Sequence, residues 1–249
     1  MSPLLNEERF FEAVKIASGS ERKCEKVGTL SEKLVHRTLK YYFEPCEEYH
    51  EIDVLGSIVD VKRGDEIIEI QTRSFDRLKP KLEKLLLEYS VNVVYPVIVE
   101  KNVHWVDPES GERVSVRKSS KKGRATDVLA ELYHIREHLS NSGFKLTLVL
   151  LSADEFRVLD GYGKEKKKRA TKVDIIPKEL FDVLEFSNET ELKKYILNVL
   201  PDNFTAKQLN LSFHLRPRQF SLALKLLLFL EAVRQVGKVR NAHFYEKIK

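Results

Sequence analysis

The stretch Ser57-Ile58-Val59-Asp60-Val61-Lys62-Arg63-Gly64-Asp65-Glu66-Ile67-Ile68-Glu69-Ile70-Gln71-Thr72 reads as two β-strands joined by a tight turn. Residues 57–62 and 66–72 are rich in β-branched side chains, and Arg63-Gly64-Asp65 supplies the hairpin between them. A further β-like run, residues 48–54, precedes them and is set off by Gly56. Alternation with a period of two places Glu69 and Gln71 on one face of the last strand and Ile68 and Ile70 on the other. Asp60, near the end of the middle strand, then lies beside Glu69 across the hairpin. Two carboxylates so placed make an oxygen site for Mg²⁺ or Mn²⁺, which lowers the pKa of a bound water and stabilises charge on a phosphodiester.

Upstream, Asn6 can cap a helix that ends near Gly19, and residues 18–28 read as a polar loop. A second helix starts around Thr29 or Ser31, carries Leu34, Val35, Leu39 and Tyr42 at helical spacing, and is stopped by Pro45. Downstream, residues 76–89 read as a helix with Leu78, Leu82, Leu85 and Leu86 on one side. Residues 91–99 are nearly all apolar, as in a strand buried on both faces. Residues 103–106 and 113–116 read as a hairpin, 125–139 as a helix, 145–151 as a buried strand and 156–159 as a short strand. Two short helical stretches follow, at 178–183 and 189–199, before Pro201-Asp202-Asn203 punctuates the chain.

The order of helix, three strands, helix and strand, with acids at these places, resembles the PD-(D/E)xK nuclease superfamily, the fold of many restriction enzymes. The resemblance covers about residues 29–99. It implies a mixed sheet flanked by helices and a site in which Glu32, Asp60 and Glu69 hold the metal. The superfamily's lysine falls on Gln71, a departure, because a neutral amide orients water but supplies no charge. Lys62 is a candidate displaced lysine, and Val59 stands where the superfamily has proline. Taken singly, Asp60 reads as a strand-end carboxylate, Glu69 as a cross-strand partner of Lys62, and Glu32 as a helix-start carboxylate favoured by the macrodipole. Their joint order carries the resemblance.

In the last fifty residues, Thr205 is placed to cap a short helix beginning at Phe204. Arg216-Pro217-Arg218-Gln219-Phe220 opens a longer one with Ala223, Leu224, Leu227, Leu228 and Leu230. Residues 233–245 then alternate as two strands around a turn. This resembles a winged helix-turn-helix, which implies DNA contact by Arg216, Arg218 and Gln219 at a helix N-terminus and by Lys238 and Arg240 on the wing. From residue 201 to 249 there are nine Lys or Arg against three Asp or Glu. Winged helices also serve as protein-docking modules, so the fold alone does not decide the partner.

The bulk composition sets the frame. A chain of 249 residues with 42% hydrophobic residues accommodates one medium domain and one small one, here divided as 1–185 and 186–249. Two cysteines, Cys24 and Cys46, match no disulfide framework and no zinc spacing, and read as reduced thiols. Neither the roughly 20 apolar residues of a bilayer span nor the basic flank of a signal peptide is seen, so the reading is cytoplasmic, without membrane. The net charge of +5 is modest, but it is unevenly spread. Arg117, Lys118, Lys121, Lys122 and Arg124 form one basic cluster, and Lys164, Lys166, Lys167, Lys168, Arg169 and Lys172 another. The sequence therefore reads as a DNA-binding, metal-dependent endonuclease, with a homodimer implied if both strands of a duplex are cut. The alternative is a non-catalytic DNA-binding regulator on a nuclease-like scaffold.

Overall fold

The computed structural model describes residues 5–19, 33–72, 74–162, 169–239 and 242–248. Two helices come first, α1 (Glu7–Gly19) and α2 (Lys33–Phe43). Asn6 caps α1, its side-chain oxygen accepting from the Arg9 N–H at 2.9 Å. Three antiparallel strands follow: β1 (His50–Val54), β2 (Ser57–Arg63) and β3 (Glu66–Ile70). The β2–β3 turn places Gly64 at φ 52°, a left-handed conformation that glycine adopts without a Cβ clash.

The chain then crosses through α3 (Lys79–Leu85) to β4 (Ser90–Val106), which runs parallel to β3. It returns through β5 (Arg113–Lys118) and α4 (Val128–Leu132) to β6 (Phe144–Val158), parallel to β4. β7 (Thr171–Phe186) closes the far edge, antiparallel to β6. The seven strands make one mixed sheet in the order β1-β2-β3-β4-β6-β7, with β5 paired to the distal half of β4. Helices flank both faces. Phe10, Leu34 and Leu39 pack with Ile68, Ile70 and Val149 on one. On the other, Leu82, Leu85, Leu129 and Leu132 pack with Ile67, Val93 and Leu148.

Several elements differ from expectation. Residues 178–183 are not helical but belong to β7, and the reason is visible in the register. The β6–β7 ladder shifts between Leu150 and Leu151 and again between Leu151 and Ala153. Each extra residue breaks the period of two, so the buried Leu180 and Val183 fall three apart and imitate a helix. Residues 91–99 and 103–106 are one strand of 17 residues, and 145–151 and 156–159 are one of 15. The segment 76–89 is helical only over α3, after a 3-10 turn at Phe75–Arg77 and with Pro80 in its first turn. Residues 125–139 form two 3-10 segments around α4, kinked at Ile135 (φ −117°).

Beyond β7 lie α5 (Glu189–Val199), β8 (Asn203–Thr205), α6 (Ala206–Phe213), α7 (Pro217–Phe229), β9 (Val233–Val239) and β10 (Ala242–Lys247). The last three strands form a second sheet, ordered β8-β10-β9. Thr205 and Gln208 make a reciprocal capping box at α6. This C-terminal unit shares its apolar core with the large sheet: Phe204, Leu209, Leu226 and Tyr245 belong to the same cluster as Leu129 and Leu132. The Arg136 guanidinium stands over the rings of Tyr133 (4.4 Å) and Phe229 (5.6 Å), and Arg124 donates to the Ser212 carbonyl. No helix among the described residues is long and apolar enough to cross a membrane.

Candidate active site

The β2–β3 hairpin brings Asp60 and Glu69 together as the alternation predicts. Its last pair is Val61 with Ile68, and Asp60 and Glu69 follow directly on their two strands, near enough for the charge of one to act on the other. There the Ile70 N–H bonds the Asp60 Oδ2 at 2.7 Å, a side-chain acceptor for a backbone donor at the strand end. The other Asp60 oxygen lies 3.2 Å from the His36 Nε2 on α2. Burial pushes the Asp60 carboxyl up, but His36 and the Ile70 N–H outweigh it and hold the group below its ordinary value.

Glu69 is the opposite case. Its side chain is 2% exposed, and burial, reinforced by the negative charge of Asp60, pushes its pKa up to about 7. Lys81 on α3 opposes that shift, with its Nζ 2.5 Å from the Glu69 Oε1. The same ammonium donates to the Ile58 carbonyl at 2.5 Å, which ties α3 to β2 across the site. The lysine beside the carboxylates is therefore Lys81, from the crossover helix. Lys62 is engaged elsewhere, donating to the Gly64 carbonyl at 2.9 Å and lying 5.4 Å from the Tyr89 ring. Gln71 follows β3 directly, half-buried, its N–H bonded to the Val94 carbonyl at 2.8 Å.

A second layer of charge backs the pair. Lys40, one turn after His36 on α2, bonds Glu51 at 2.7 Å. Glu51 is the β1 residue that the register sets opposite Asp60, since His50 pairs with Val61 and Ile52 with Val59. It takes a left-handed backbone conformation (φ 54°) within a strand, which costs a non-glycine residue about 1–2 kcal/mol. Strain of this kind inside a charged cluster marks a position that the surrounding contacts hold in place.

Asp60 and Glu69 offer oxygen donors, the kind a hard divalent ion takes, and Lys81 already meets one of those oxygens. Among the described residues no group of three His, Cys, Asp or Glu side chains is arranged to hold a metal. Glu32, the third ligand that the resemblance implies, lies outside the described residues. His36, Lys40 and Lys81 were not singled out from sequence. The spacing of His36 and Lys40, four apart on one face of α2, was the available signal.

The DNA-contact candidates are spread over the C-terminal unit. Arg216 is the N-cap residue of α7; it and Arg218 are exposed, and Gln219 is half-buried. Lys238 is exposed on β9, and Arg240 lies outside the described residues. In the basic clusters, Arg117 and Lys118 end β5, and Lys121 and Lys122 follow it, all exposed. Lys164, Lys166, Lys167 and Lys168 lie outside the described residues, as does Cys24, and Cys46 is an exposed free thiol.

Comparison with known proteins places this site within a family. The family described as Domain of unknown function (DUF8091) matches residues 33–187, and the chain belongs to it. The match runs from the start of α2 to one residue past β7, so it spans the seven-stranded sheet, both carboxylates and Lys81. The chain is also 33% identical over 184 residues to an uncharacterized protein of Treponema pallidum (strain Nichols), covering 74% of this chain and 73% of that protein. No solved structure matches the chain.

Proposed function

We propose that this chain is a metal-dependent nuclease of restriction-endonuclease-like fold, with a C-terminal winged helix-turn-helix that helps hold nucleic acid. One observation carries the reading. Asp60, Glu69 and a lysine ammonium meet at the end of a β-hairpin, the lysine coming from Lys81 instead of position 71. Three antiparallel strands followed by a crossover helix and a parallel strand support the fold reading. For the C-terminal unit, support comes from the succession of α5, β8, α6, α7, β9 and β10 and from the sheet order β8-β10-β9.

In this reading Asp60 and Glu69 would hold Mg²⁺ or Mn²⁺, with Glu32 as the further ligand implied by the resemblance. Such an ion would supply an acidified water and charge neutralisation at the phosphate. Lys81 orients the attacking water and offsets the charge of two close carboxylates. His36 fixes the Asp60 carboxylate, and Gln71 offers an amide to water or phosphate. Water loses a proton to solvent as it adds at phosphorus, one P–O ester bond breaks, and the departing oxygen takes a proton from solvent. Arg216, Arg218, Gln219 and Lys238 contact the backbone of DNA, and binding through them weakens with added salt.

The test is incubation of supercoiled plasmid, single-stranded DNA and RNA with the purified protein and Mn²⁺ or Mg²⁺, beside an Asp60→Ala, Glu69→Ala double variant. Metal-dependent cleavage by the unaltered protein alone is expected. Equal cleavage by the double variant, or none of any substrate by either, overturns the nuclease reading. Salt-sensitive binding without cleavage selects the non-catalytic regulator.

A further inference from the structure

Away from the carboxylates, the sheet carries a second feature of distinct chemistry. The distal half of β4 outruns β3, whose last pair is Ile70 with Val94. In that extension Val103 pairs with Arg117 of β5 and with Glu155 of β6, and Trp105 pairs with Ser115 and Arg157. Alternation with a period of two therefore sets Lys101, Trp105, Arg117 and Arg157 on one face of three adjacent strands. Lys118 and Lys121 complete the walls of a cleft of about 200 Å³ there.

Among the described residues, the cations of this cleft outnumber the acids paired with them. The buried Glu155 carboxylate is shared by Lys101 (2.6 Å) and Arg157 (2.6 Å). Glu100 is shared by Lys118 (2.7 Å) and Lys122 (3.8 Å). Each acid thus meets two cations, and Arg117 and Lys121 add two more. Glu155 locks Lys101 and Arg157 into place, so part of the basic wall is preorganised, not merely solvated lysine. The segment that follows β5 is pinned as well. The Ser119 N–H bonds the Lys101 carbonyl at 2.7 Å and the Gly123 N–H bonds the Ile98 carbonyl at 2.9 Å.

We infer that this cleft binds single-stranded nucleic acid, with an unpaired base stacked on Trp105 and flanking phosphates held by Arg117, Lys121 and their neighbours. An aromatic ring between fixed cations serves a base with its phosphates, because every base has a π-face and every linkage a negative charge. A paired base presents only its edge, so a ring that stacks selects an unpaired base. Trp105 stands eleven residues beyond Val94, on the order of 35 Å along the strand from the end of β3. The cleft continues the sheet face of Val149, Leu151 and Ala153, whereas Glu69 pairs with Val93 and meets Lys81 on the other face, so the two are separate sites. The inference deepens the nucleic-acid reading above but does not require hydrolysis.

Trp105 is the sole tryptophan, so its emission reports the stack directly. The full chain is titrated, with chelator present, with a labelled oligothymidylate of about 20 nucleotides and with the corresponding duplex. The expected result is quenched tryptophan emission that tracks the anisotropy of the single strand, with tighter binding than to the duplex. Trp105→Ala weakens binding by at least about fivefold, the lower end for one base on one ring, and Trp105→Phe largely retains it. Arg117→Ala with Lys121→Ala, both exposed positions, flattens the slope of log affinity against log salt by about 1.4. Unchanged emission while anisotropy saturates, or native-like binding by both Trp105→Ala and the double variant, overturns the inference. Quenching by a strand that is never cut keeps the cleft and removes the nuclease, whereas cutting without quenching does the reverse.

Discussion

Lys81 Nζ lies 2.5 Å from the Glu69 Oε1, twelve residues along the chain and across the turn from β3 into the crossover helix. The pair joins the strand that carries the acid to the helix that covers it. It also sets a positive charge beside two carboxylates that would otherwise repel each other in a buried site. Truncating Glu69 leaves the Lys81 ammonium without its carboxylate, and truncating Lys81 removes the charge that opposes protonation of Glu69.

Glu69 makes stability depend on pH. Its folded pKa, about 7, lies above the ordinary carboxylate value that it regains on unfolding. The folded state therefore holds the proton more tightly, and this contribution is full below about pH 4.5 and is lost as the pH rises through 7. Glu69→Gln cannot titrate. Its melting temperature should gain on that of the unaltered protein between pH 5 and pH 8, by about 2–4 °C per kcal/mol. A difference that stays constant across that range contradicts the assignment.

If Asp60 and Glu69 hold a divalent ion, it relieves the same repulsion. At pH 7.5, millimolar Mn²⁺ should raise the melting temperature by binding only the folded chain, and Asp60→Ala should abolish the rise. An equal rise in the variant places the ion elsewhere.

The hairpin was legible because a period of two and a short turn fix its register, and the register fixes which acids meet. Lys81 was not, because the angle at which a crossover helix lies over a sheet is set by Leu82 and Leu85 meeting the core, not by a local pattern. The same limit hid His36. β7 was misread where bulges turned a strand period into a helix period. The apolar face of α7 was plain in the sequence, but not that α4 and Arg136 would share in covering it. For the hairpin, α2, α3 and α7 local order was readable and the packing partner was not, whereas in β7 the bulges hid the local order itself.

Gly123 tests how the basic segment is held to the sheet. A Cβ there would stand 2.5 Å from the Ile98 carbonyl oxygen, a backbone atom that cannot swing aside. Gly123→Ala should cost about 1–3 kcal/mol, the usual penalty of overpacking, seen as a lower denaturation midpoint. A midpoint unchanged from the parent would show that the segment is not pinned there.

The shared core predicts one cooperative unfolding event. Leu226 of α7 is fully buried in the cluster that also holds Leu129 and Leu132. Leu226→Ala should lower stability by about 2–5 kcal/mol and shift a single calorimetric transition as a whole. Two resolved transitions, only one of them moved, would mean that the C-terminal unit folds separately.

The most direct measurement compares rates of metal-dependent plasmid nicking by the parent, Lys81→Ala, and Lys81→Ala combined with Gln71→Lys. If Lys81 supplies the charge that position 71 lacks, its loss should slow nicking by about 10²–10³-fold, and a lysine at 71 should restore part of the rate. Nicking by Lys81→Ala at the parental rate would contradict the account of the site.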